Sequence, residues 1–425
     1  MGCRAVRKIA TGPTGPVQHE GAPMKRLRVL LSEASSLTAR EHLTVLGAAG
    51  VRVEAMSSDP FALCRWSRWA LRLHRCPAPG TDPAGYLRAV SAVLAEGGFD
   101  ALLPTHEQAW LFAAGRDRLP PAAPAALAPT EAFARVQSKA AFARLLDELG
   151  APQPRWWPVE DDTVPGPIPY PYLLKAAFST AGQGVRQVRT PAEHARALTE
   201  LRASGQELIA QAPAPGQYGQ VQALFDDGRL VAAHTSVQAG RGIGGSAAAR
   251  LSVDHPSARF WAAAVGEKLG WHGGLTMDYF HQDGEPVFIE CNPRTVEPGN
   301  AAASGVNLPL LSIALAAGRP LPAKAVTGRP GVRTHSTLAL LLGSADQAGS
   351  RRAVLRTLSA TAARQGVFAH SAEVLTPVIR DPPSLIPLLR VATALLARPA
   401  SAAQISGRTI AAYSVTQQAI TRLHQ

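Results

Sequence analysis

The sequence predicts an α/β fold at its amino-terminal end, a middle part rich in hairpins, and a small, mostly helical carboxyl-terminal region. Strand-like and helix-like segments alternate first, at residues 27–31, 35–49, 51–56, 82–96 and 99–104. This alternation favours a parallel sheet with helices on its faces. After Pro320, helical spacing recurs at residues 354–365, 383–397 and 410–423.

Composition limits the class of protein. The chain has 425 residues, 46% hydrophobic and 17% charged, as is typical of two or three folded domains. The net charge of +12 is dispersed and accompanies no zinc-finger or RNA-binding motif, so we expect an anionic ligand and no nucleic acid. Four cysteines without a CxxC pair favour a cytoplasmic location. No run reaches the roughly 18 apolar residues of a membrane-spanning helix, so we expect no stable membrane insertion.

Two segments near the amino terminus have a local interpretation. Residues 1–23 are rich in Gly and Pro and lack the apolar core of a signal peptide, so we interpret them as a flexible leader or a misassigned start. Further on, arginines recur at spacings of three and four: Arg65, Arg68, Arg72 and Arg75. On a helix they would form one basic stripe, which we interpret as a solvated face rather than a contact with an acidic partner.

The middle of the chain contains a segment suited to bind phosphate. Residues 132–149 have helical spacing and end at Gly150, and residues 172–175 form a strand that ends in Lys175. A loop with Ser179, Gly182 and Gly184 follows that strand. Small residues let backbone N–H groups approach phosphate oxygens, and a lysine adds a point charge. The loop lacks the ending of a Walker A motif and leads into a strand.

The most informative segment is a hairpin near residue 290. Two strand-like runs, 274–280 and 286–289, are joined by a turn at residues 282–285. Because side chains alternate along a strand, Glu290, Asn292 and Arg294 can share one face, whereas Cys291 should point into the core. Asp278 lies on the neighbouring run. Two acids and an amide make an all-oxygen cradle for Mg²⁺, and an arginine beside them suits phosphate.

These residues resemble the ATP-grasp superfamily, which includes biotin carboxylase and the D-alanine ligases. The family's last strands carry an acid and then acid-x-Asn-x-Arg, matched here by Asp278, Glu290, Asn292 and Arg294. The resemblance spans roughly residues 24–320. It implies a Rossmann-like domain at residues 24–125, a two-lobed α+β ATP-grasp domain at 126–325, and a helical region at 326–425.

The resemblance also implies roles for single residues. Asp278, Glu290 and Asn292 would hold Mg²⁺ or Mn²⁺, and Arg294 and Arg241 would act on the reacting groups. A larger set would bind ATP: Lys139, Lys175, Ser179, Gly182, Gly184 and Gln211. The chain departs from the family at two places. Ser138 replaces an acid before Lys139, and glutamines stand where acids usually meet the ribose.

The function implied is an ATP- and Mg²⁺-dependent ligase that joins a carboxylate to an amine through an acyl phosphate. Alternatives are a bicarbonate-activating carboxylase component and a non-catalytic ATP-binding regulator. A nicotinamide-dependent enzyme would use the GxGxxG at residues 240–245, but no clear βαβ unit surrounds it. The carboxyl-terminal region could cap the substrate site, form a homodimer contact or touch a carrier protein.

Overall fold

A computed structural model describes residues 27–121, 123–160, 168–179, 182, 184–282 and 284–423. The expectation for residues 1–23 lies outside these residues. Within them, no helix is both long and apolar enough to cross a lipid bilayer.

The first sheet is parallel and has the strand order β3-β2-β1-β4. Its strands are β1 (Arg28–Leu31), β2 (Arg52–Ser57), β3 (Ala70–Arg75) and β4 (Ala101–Leu103), and its helices are α1 (Leu37–Ala48), α2 (Pro83–Ala95) and α3 (Gln108–Ala114). Alternate residues of β1 enter two different cores. Val29 packs in one core with Leu43 of α1, and Leu30 packs in the other with Tyr86 of α2. Both faces are therefore buried, as parallel sheets require.

The proposed basic stripe is not helical. Leu63–Trp66 form a short 3₁₀ turn, and Arg72 and Arg75 lie on strand β3. Side chains at these two positions point to opposite faces of the strand, so the expected helix was wrong. All four arginines are nevertheless exposed, as the solvated interpretation expected. The arginines are spaced by three and four residues, but the spacing runs across two elements, the 3₁₀ turn and β3.

The predicted helix at residues 132–149 is divided in two. The structure has α4 (Thr130–Gln137) and α5 (Lys139–Leu149), with Ser138 in an extended conformation between them. The Ser138 side chain accepts a hydrogen bond from Ala141 N (3.2 Å) and caps α5. Gly150, at φ +66°, ends it as expected. This break puts Lys139 at the first position of α5.

A small antiparallel sheet forms the next layer, with the order β5-β8-β6-β7. Its strands are β5 (Trp156–Pro158), β6 (Tyr172–Ala176), β7 (Val185–Val188) and β8 (Leu208–Gln211), and helix α6 (Pro191–Arg202) packs on it. Tyr172, Leu174 and Leu198 belong to its own buried core. Lys175 lies near the end of β6, a strand that this core holds in place.

A larger sheet has the order β13-β12-β9-β10-β11-β15-β16, and β14 pairs with β10. Its strands are β9 (Gln217–Asp226), β10 (Arg229–Arg241), β11 (Ala247–Ser252), β12 (Gly273–Gln282), β13 (Glu285–Asn292), β14 (Val326–Thr327), β15 (Arg333–His335) and β16 (Ala372–Glu373). The helices beside it are α7 (Pro256–Leu269), α8 (Gly299–Ala303) and α9 (Leu308–Ala316). The GxGxxG segment joins the antiparallel strands β10 and β11. It therefore lacks the βαβ setting of a dinucleotide site.

The carboxyl-terminal region is largely helical, as predicted. It contains α10 (Thr337–Ala348), α11 (Arg351–Ala363), α12 (Leu385–Ala397), α13 (Ser401–Tyr413) and α14 (Gln417–Leu423). The pattern at residues 410–423 suggested one helix, but two helices meet there, separated by residues 414–416. The apolar sequence of α12 is consistent with either a buried helix or a partner surface. Leu395 is fully buried whereas Leu389 is 54% exposed, so the helix is only partly buried.

Candidate active site

The β12–β13 pair brings the predicted metal-binding residues together. Asp278 lies opposite Glu290 in the register, and Thr276 lies opposite Asn292. The register shifts between Asp278 and Tyr279, so Tyr279 lies opposite Phe288. Asp278, Glu290 and Asn292 line one cavity, whereas Cys291 is buried in the core that contains Met277. The alternation predicted from the sequence thus holds at the end of β13.

Asp278 and Glu290 form a carboxylate pair with opposite pKa shifts. Burial, followed by the charge of Glu290, raises the pKa of Asp278 well above its usual value. Burial also opposes the ionisation of Glu290, but the ammonium groups of Lys139 and Lys175 outweigh it, and its pKa is lowered. Asp278 Oδ2 also accepts from Asn292 Nδ2 (3.3 Å). A divalent cation fits this set, because its ligands are hard oxygens whose mutual repulsion the cation would relieve.

Two lysines reach the carboxylates from different elements. Lys139 Nζ lies 3.8 Å from Glu290 Oε2 and donates to the backbone oxygen (3.2 Å) and hydroxyl (3.1 Å) of Ser179. Lys175 Nζ donates to Gln211 Oε1 at 2.5 Å. Burial lowers the pKa of Lys175 to about 8. Buried cations next to a cluster of oxygen ligands suit a polyphosphate.

The glycine loop and Gln211 have more specific positions than the sequence suggested. Gly182 has φ +73° and lines the main cavity. Gly184 packs against Ser179 instead: a Cβ at residue 184 would lie 2.5 Å from Ser179 Cβ. Gln211 is buried and its Oε1 is engaged by Lys175. It therefore supports a lysine, whereas the sequence suggested a hydrogen bond to a ribose hydroxyl.

Arg294 is buried with unused donors. Its Nη2 lies 3.3 Å from Glu107 Oε1, but its Nε and Nη1 find no hydrogen-bond partner within the described part of the chain. Burial opposes the ionisation of Glu107, yet His106 and Arg294 together lower its pKa to about 2. Buried N–H groups without partners are costly, and Arg294 lines the main cavity. The arrangement favours an anion bound beside Arg294.

Arg250 belongs to a hydrogen-bonded network whose connections the sequence did not indicate. Arg250 Nη2 contacts Glu297 Oε2 (2.7 Å), and its Nη1 donates to Gln220 Oε1 (2.5 Å). Gln220 Nε2 then donates to Asp278 Oδ1 (2.7 Å). Glu297 has φ +46°, a conformation uncommon for a residue with a side chain and often found at functional sites. The alternation along β9 could have indicated Gln220, but the sequence offered no signal for Glu297.

Arg241 and His234, two residues near the GxGxxG segment, have different environments. Arg241 is exposed at the end of β10 and lines the same cavity, and no described side chain forms an ion pair with it. His234 is buried and bonds to Asn300 Oδ1 (2.8 Å) and Ser304 Oγ (3.1 Å). Arg241 is therefore placed for a ligand, and His234 has a structural position.

Comparison with known proteins yields likeness of structure alone. No protein-family model and no curated protein sequence match this chain. Among solved structures it resembles the MgADP- and bicarbonate-bound biotin carboxylase domain of Hydrogenobacter thermophilus 2-oxoglutarate carboxylase, with 17% identity, TM-score 0.56, and 72% of this chain and 73% of that chain covered. The ATP complex of carboxyaminoimidazole ribonucleotide synthase from Aspergillus clavatus has 14% identity, TM-score 0.56, and coverages of 74% and 82%.

A third structure is the L-amino acid ligase from Bacillus licheniformis, with 16% identity, TM-score 0.51, and 68% and 74% of the two chains covered. All three share the fold of this chain over the part that they match, 68–74% of its length. The chain has the ATP-grasp fold, as its hairpin motif indicated.

Proposed function

We propose that this chain is an ATP- and Mg²⁺-dependent ligase that joins a carboxylate to an amine and releases ADP and phosphate. The observation that carries the proposal is the convergence of Asp278, Glu290 and Asn292 with Lys139 and Lys175. These residues come from two sheets and a helix terminus, yet all lie around one carboxylate. The ligands of the solved relatives, MgADP and ATP, are consistent with this chemistry.

The roles of the residues follow from their positions. Asp278, Glu290 and Asn292 would hold Mg²⁺, which when bound neutralises charge on the β- and γ-phosphates. Lys139 and Lys175 would contact phosphate oxygens, with Ser179 and Gln211 holding the two ammonium groups in place. Gly182 would let backbone approach the phosphates. Gly184 allows the close packing of Ser179.

The reaction proceeds in two displacements. A carboxylate oxygen of the acid substrate attacks the γ-phosphorus, the bond between that phosphorus and the ADP oxygen breaks, and an acyl phosphate forms. The amine nitrogen then attacks the acyl carbon, the carbon–oxygen bond to phosphate breaks, and the nitrogen releases a proton. Arg294 and Arg241 would orient the anionic groups. Catalysis is then mainly positioning and electrostatics, and it needs no protein nucleophile.

A second candidate is a carboxylase component that phosphorylates bicarbonate. It is favoured by the biotin carboxylase and carboxyaminoimidazole ribonucleotide synthase structures among the relatives. The chain contains no Met-Lys-Met biotinylation motif, so a biotin-dependent reaction would need a separate carrier. A non-catalytic regulator is less well supported, because all three residues that would hold Mg²⁺ are present.

The test is ADP release from ATP–Mg²⁺ with acids, amines and bicarbonate, singly and in pairs, with mass detection of products. A ligase requires acid and amine together and gives a product lighter than their sum by one water. Turnover with bicarbonate alone would support the carboxylase instead.

Glu290→Gln is the matched variant for this assay. We expect ADP release to fall by about 100-fold or more, because a charge placed for the transition state is lost. Glu285→Gln, at the exposed start of β13, should leave the rate unchanged. Full turnover in Glu290→Gln would contradict the proposal.

A further inference from the structure

The cavity at the candidate site is larger than a nucleotide site requires. Its volume is about 1230 Å³, and it extends from Asp278 and Glu290 to the helices of the carboxyl-terminal region. Pockets for single small ligands usually measure about 300–1000 Å³. The space beyond the carboxylates can therefore hold a second ligand of appreciable size.

The far end of this cavity has an apolar wall. Its side chains come from the turn after β2, the β10–β11 connection and helices α10, α12 and α13: Leu63, Trp66, Ile243, Leu338, Val391 and Ile405. Several of them pack around the core of the carboxyl-terminal region and still present surface to the cavity. Polar groups reach this end too, among them Ser406 and Thr409, and Arg390 lies over the Phe61 ring (5.2 Å). The wall as a whole suits a large apolar substituent.

A continuous set of contacts links the apolar wall to Arg294. Tyr413, at the end of α13, contacts the His106 ring at a tilt of 37°, with ring centroids 4.0 Å apart. His106 Nδ1 contacts Glu107, and Glu107 pairs with Arg294. Arg294 and Tyr413 both line the cavity, so a carboxylate bound beside Arg294 would share this cavity with the apolar wall.

We propose that the acid substrate carries an extended apolar group, an aliphatic chain or an aryl ring, that fills this wall. The inference rests on the proposed ligase function, because that function requires a carboxylate next to the phosphate site. Arg294 anchors the carboxylate, and the side chains of the wall bury the apolar group. The acid is then distinguished from short polar acids by the area it buries.

The experiment is titration calorimetry of the full chain with acetate, butyrate, hexanoate and octanoate, in the presence of Mg²⁺ and a non-hydrolysable ATP analogue. Binding of the analogue is measured first. We expect the affinity for the acids to rise about three- to fourfold per methylene, the usual gain for burying a CH₂ group. The series from butylamine to octylamine, titrated in the same way, should show no such gradient.

Two variants narrow the apolar end from different helices, Ala394→Trp on α12 and Ser406→Phe on α13. In each variant, the affinity for the acids should no longer rise with chain length, and the ATP analogue should still bind. Thr393→Trp, on the exposed face of α12, is the matched control and should keep the gradient. Thermal unfolding confirms that each variant is folded.

The outcomes separate the two proposals. The inference would be overturned if the affinity for the acids did not depend on chain length, or if only the amines showed such a dependence. It would also be overturned if the dependence persisted in both Ala394→Trp and Ser406→Phe. If the ATP analogue fails to bind but the acid gradient persists, the apolar site stands and the ligase proposal fails.

Discussion

At the scale of single residues, the site is organised by charges that depend on one another. Glu290 stays ionised because Lys139 and Lys175 face it, and this charge helps to raise the pKa of Asp278. Arg294 is held on one side by Glu107, and its Nε and Nη1 have no hydrogen-bond partner in the described chain. The residues therefore form one electrostatic unit, in which each substitution shifts its neighbours.

The first prediction concerns the guanidinium of Arg294. Arg294→Lys keeps the positive charge but loses the planar donor fork, so we expect kcat/KM for the acid substrate to fall by about 100-fold. Steady-state ADP release measures the effect. Arg319→Lys, in an exposed pair with Asp100, is the control and should behave like the wild type. An unchanged kcat/KM in Arg294→Lys would remove Arg294 from the proposed site.

A second residue-scale prediction concerns pH and Glu41. This carboxyl accepts from Gly299 N (2.8 Å), and burial, assisted by Glu297, raises its pKa to about 8. The folded state therefore keeps a proton that the unfolded state has lost above about pH 4.5, so the free energy of unfolding declines from about pH 4.5 to about 8. Glu41→Gln should remove this component of the decline, because an amide does not titrate.

Chemical denaturation of both proteins between pH 5 and 9 measures the effect. The stability of Glu41→Gln relative to the wild type should increase with pH. The exposed Glu148→Gln is the control and should follow the wild-type pH dependence. Parallel curves for Glu41→Gln and the wild type would show that Glu41 ionises normally.

At the scale of elements, the ends of helices and strands place the functional groups. Ser138 ends α4 and caps α5, and Lys139 N donates to Ala177 O (2.9 Å) just beyond β6. This backbone hydrogen bond joins the start of α5, which carries Lys139, to the end of β6, which carries Lys175. A helix running without a break from residue 130 would have left Lys139 N bonded within the helix.

The third prediction tests this cap. Ser138→Ala should cost about 1 kcal/mol of stability and weaken ATP binding, because the first turn of α5 loses the bond that fixes it. Ser350→Ala removes an equivalent cap from α11, where the serine accepts from Ala353 N (3.3 Å). Calorimetry with ATP–Mg²⁺ should show weaker ATP binding for Ser138→Ala but not for Ser350→Ala. Equal ATP affinity in both variants would mean that the cap only stabilises the fold.

At the scale of the whole molecule, a buried ion pair connects helix α1 to the carboxyl-terminal region. Arg40 Nη2 lies 2.6 Å from Asp381 Oδ2, and both side chains have 0% exposure. Asp381 Oδ1 also accepts from Arg68 N (2.7 Å). This contact holds the carboxyl-terminal region against the first sheet, and so maintains the cavity between them.

The fourth prediction is that Asp381→Ala costs about 3–5 kcal/mol, because Arg40 is left buried without its partner. Limited proteolysis should then cleave the carboxyl-terminal region faster than in the wild type. The double variant Arg40→Met/Asp381→Leu should recover most of the resistance, because it removes both charges. A double variant as sensitive as Asp381→Ala would show that the pair itself, and not the unpaired charge, governs stability.

Much of the fold could be predicted because its signals are local. The alternation of β1, α1 and β2, the glycine that ends α5 and the period-two pattern at Glu290, Cys291 and Asn292 each depend on a few neighbouring residues. The errors also have local causes. The arginine spacing at residues 65–75 crosses two elements, and the helical pattern at 132–149 conceals a serine that can cap as well as continue a helix.

The sequence by itself determined the fold class, the placement of Asp278, Glu290 and Asn292 on one strand pair, and the strand that carries Lys175. The tertiary structure alone decided that Gln220 links Arg250 to Asp278, that Gln211 supports Lys175, and that the cavity has an apolar wall. The physical reason is the range of the contacts. Strand alternation and helix caps act over a few residues, whereas Arg40 meets Asp381 across 341 positions, and such partners follow only from packing.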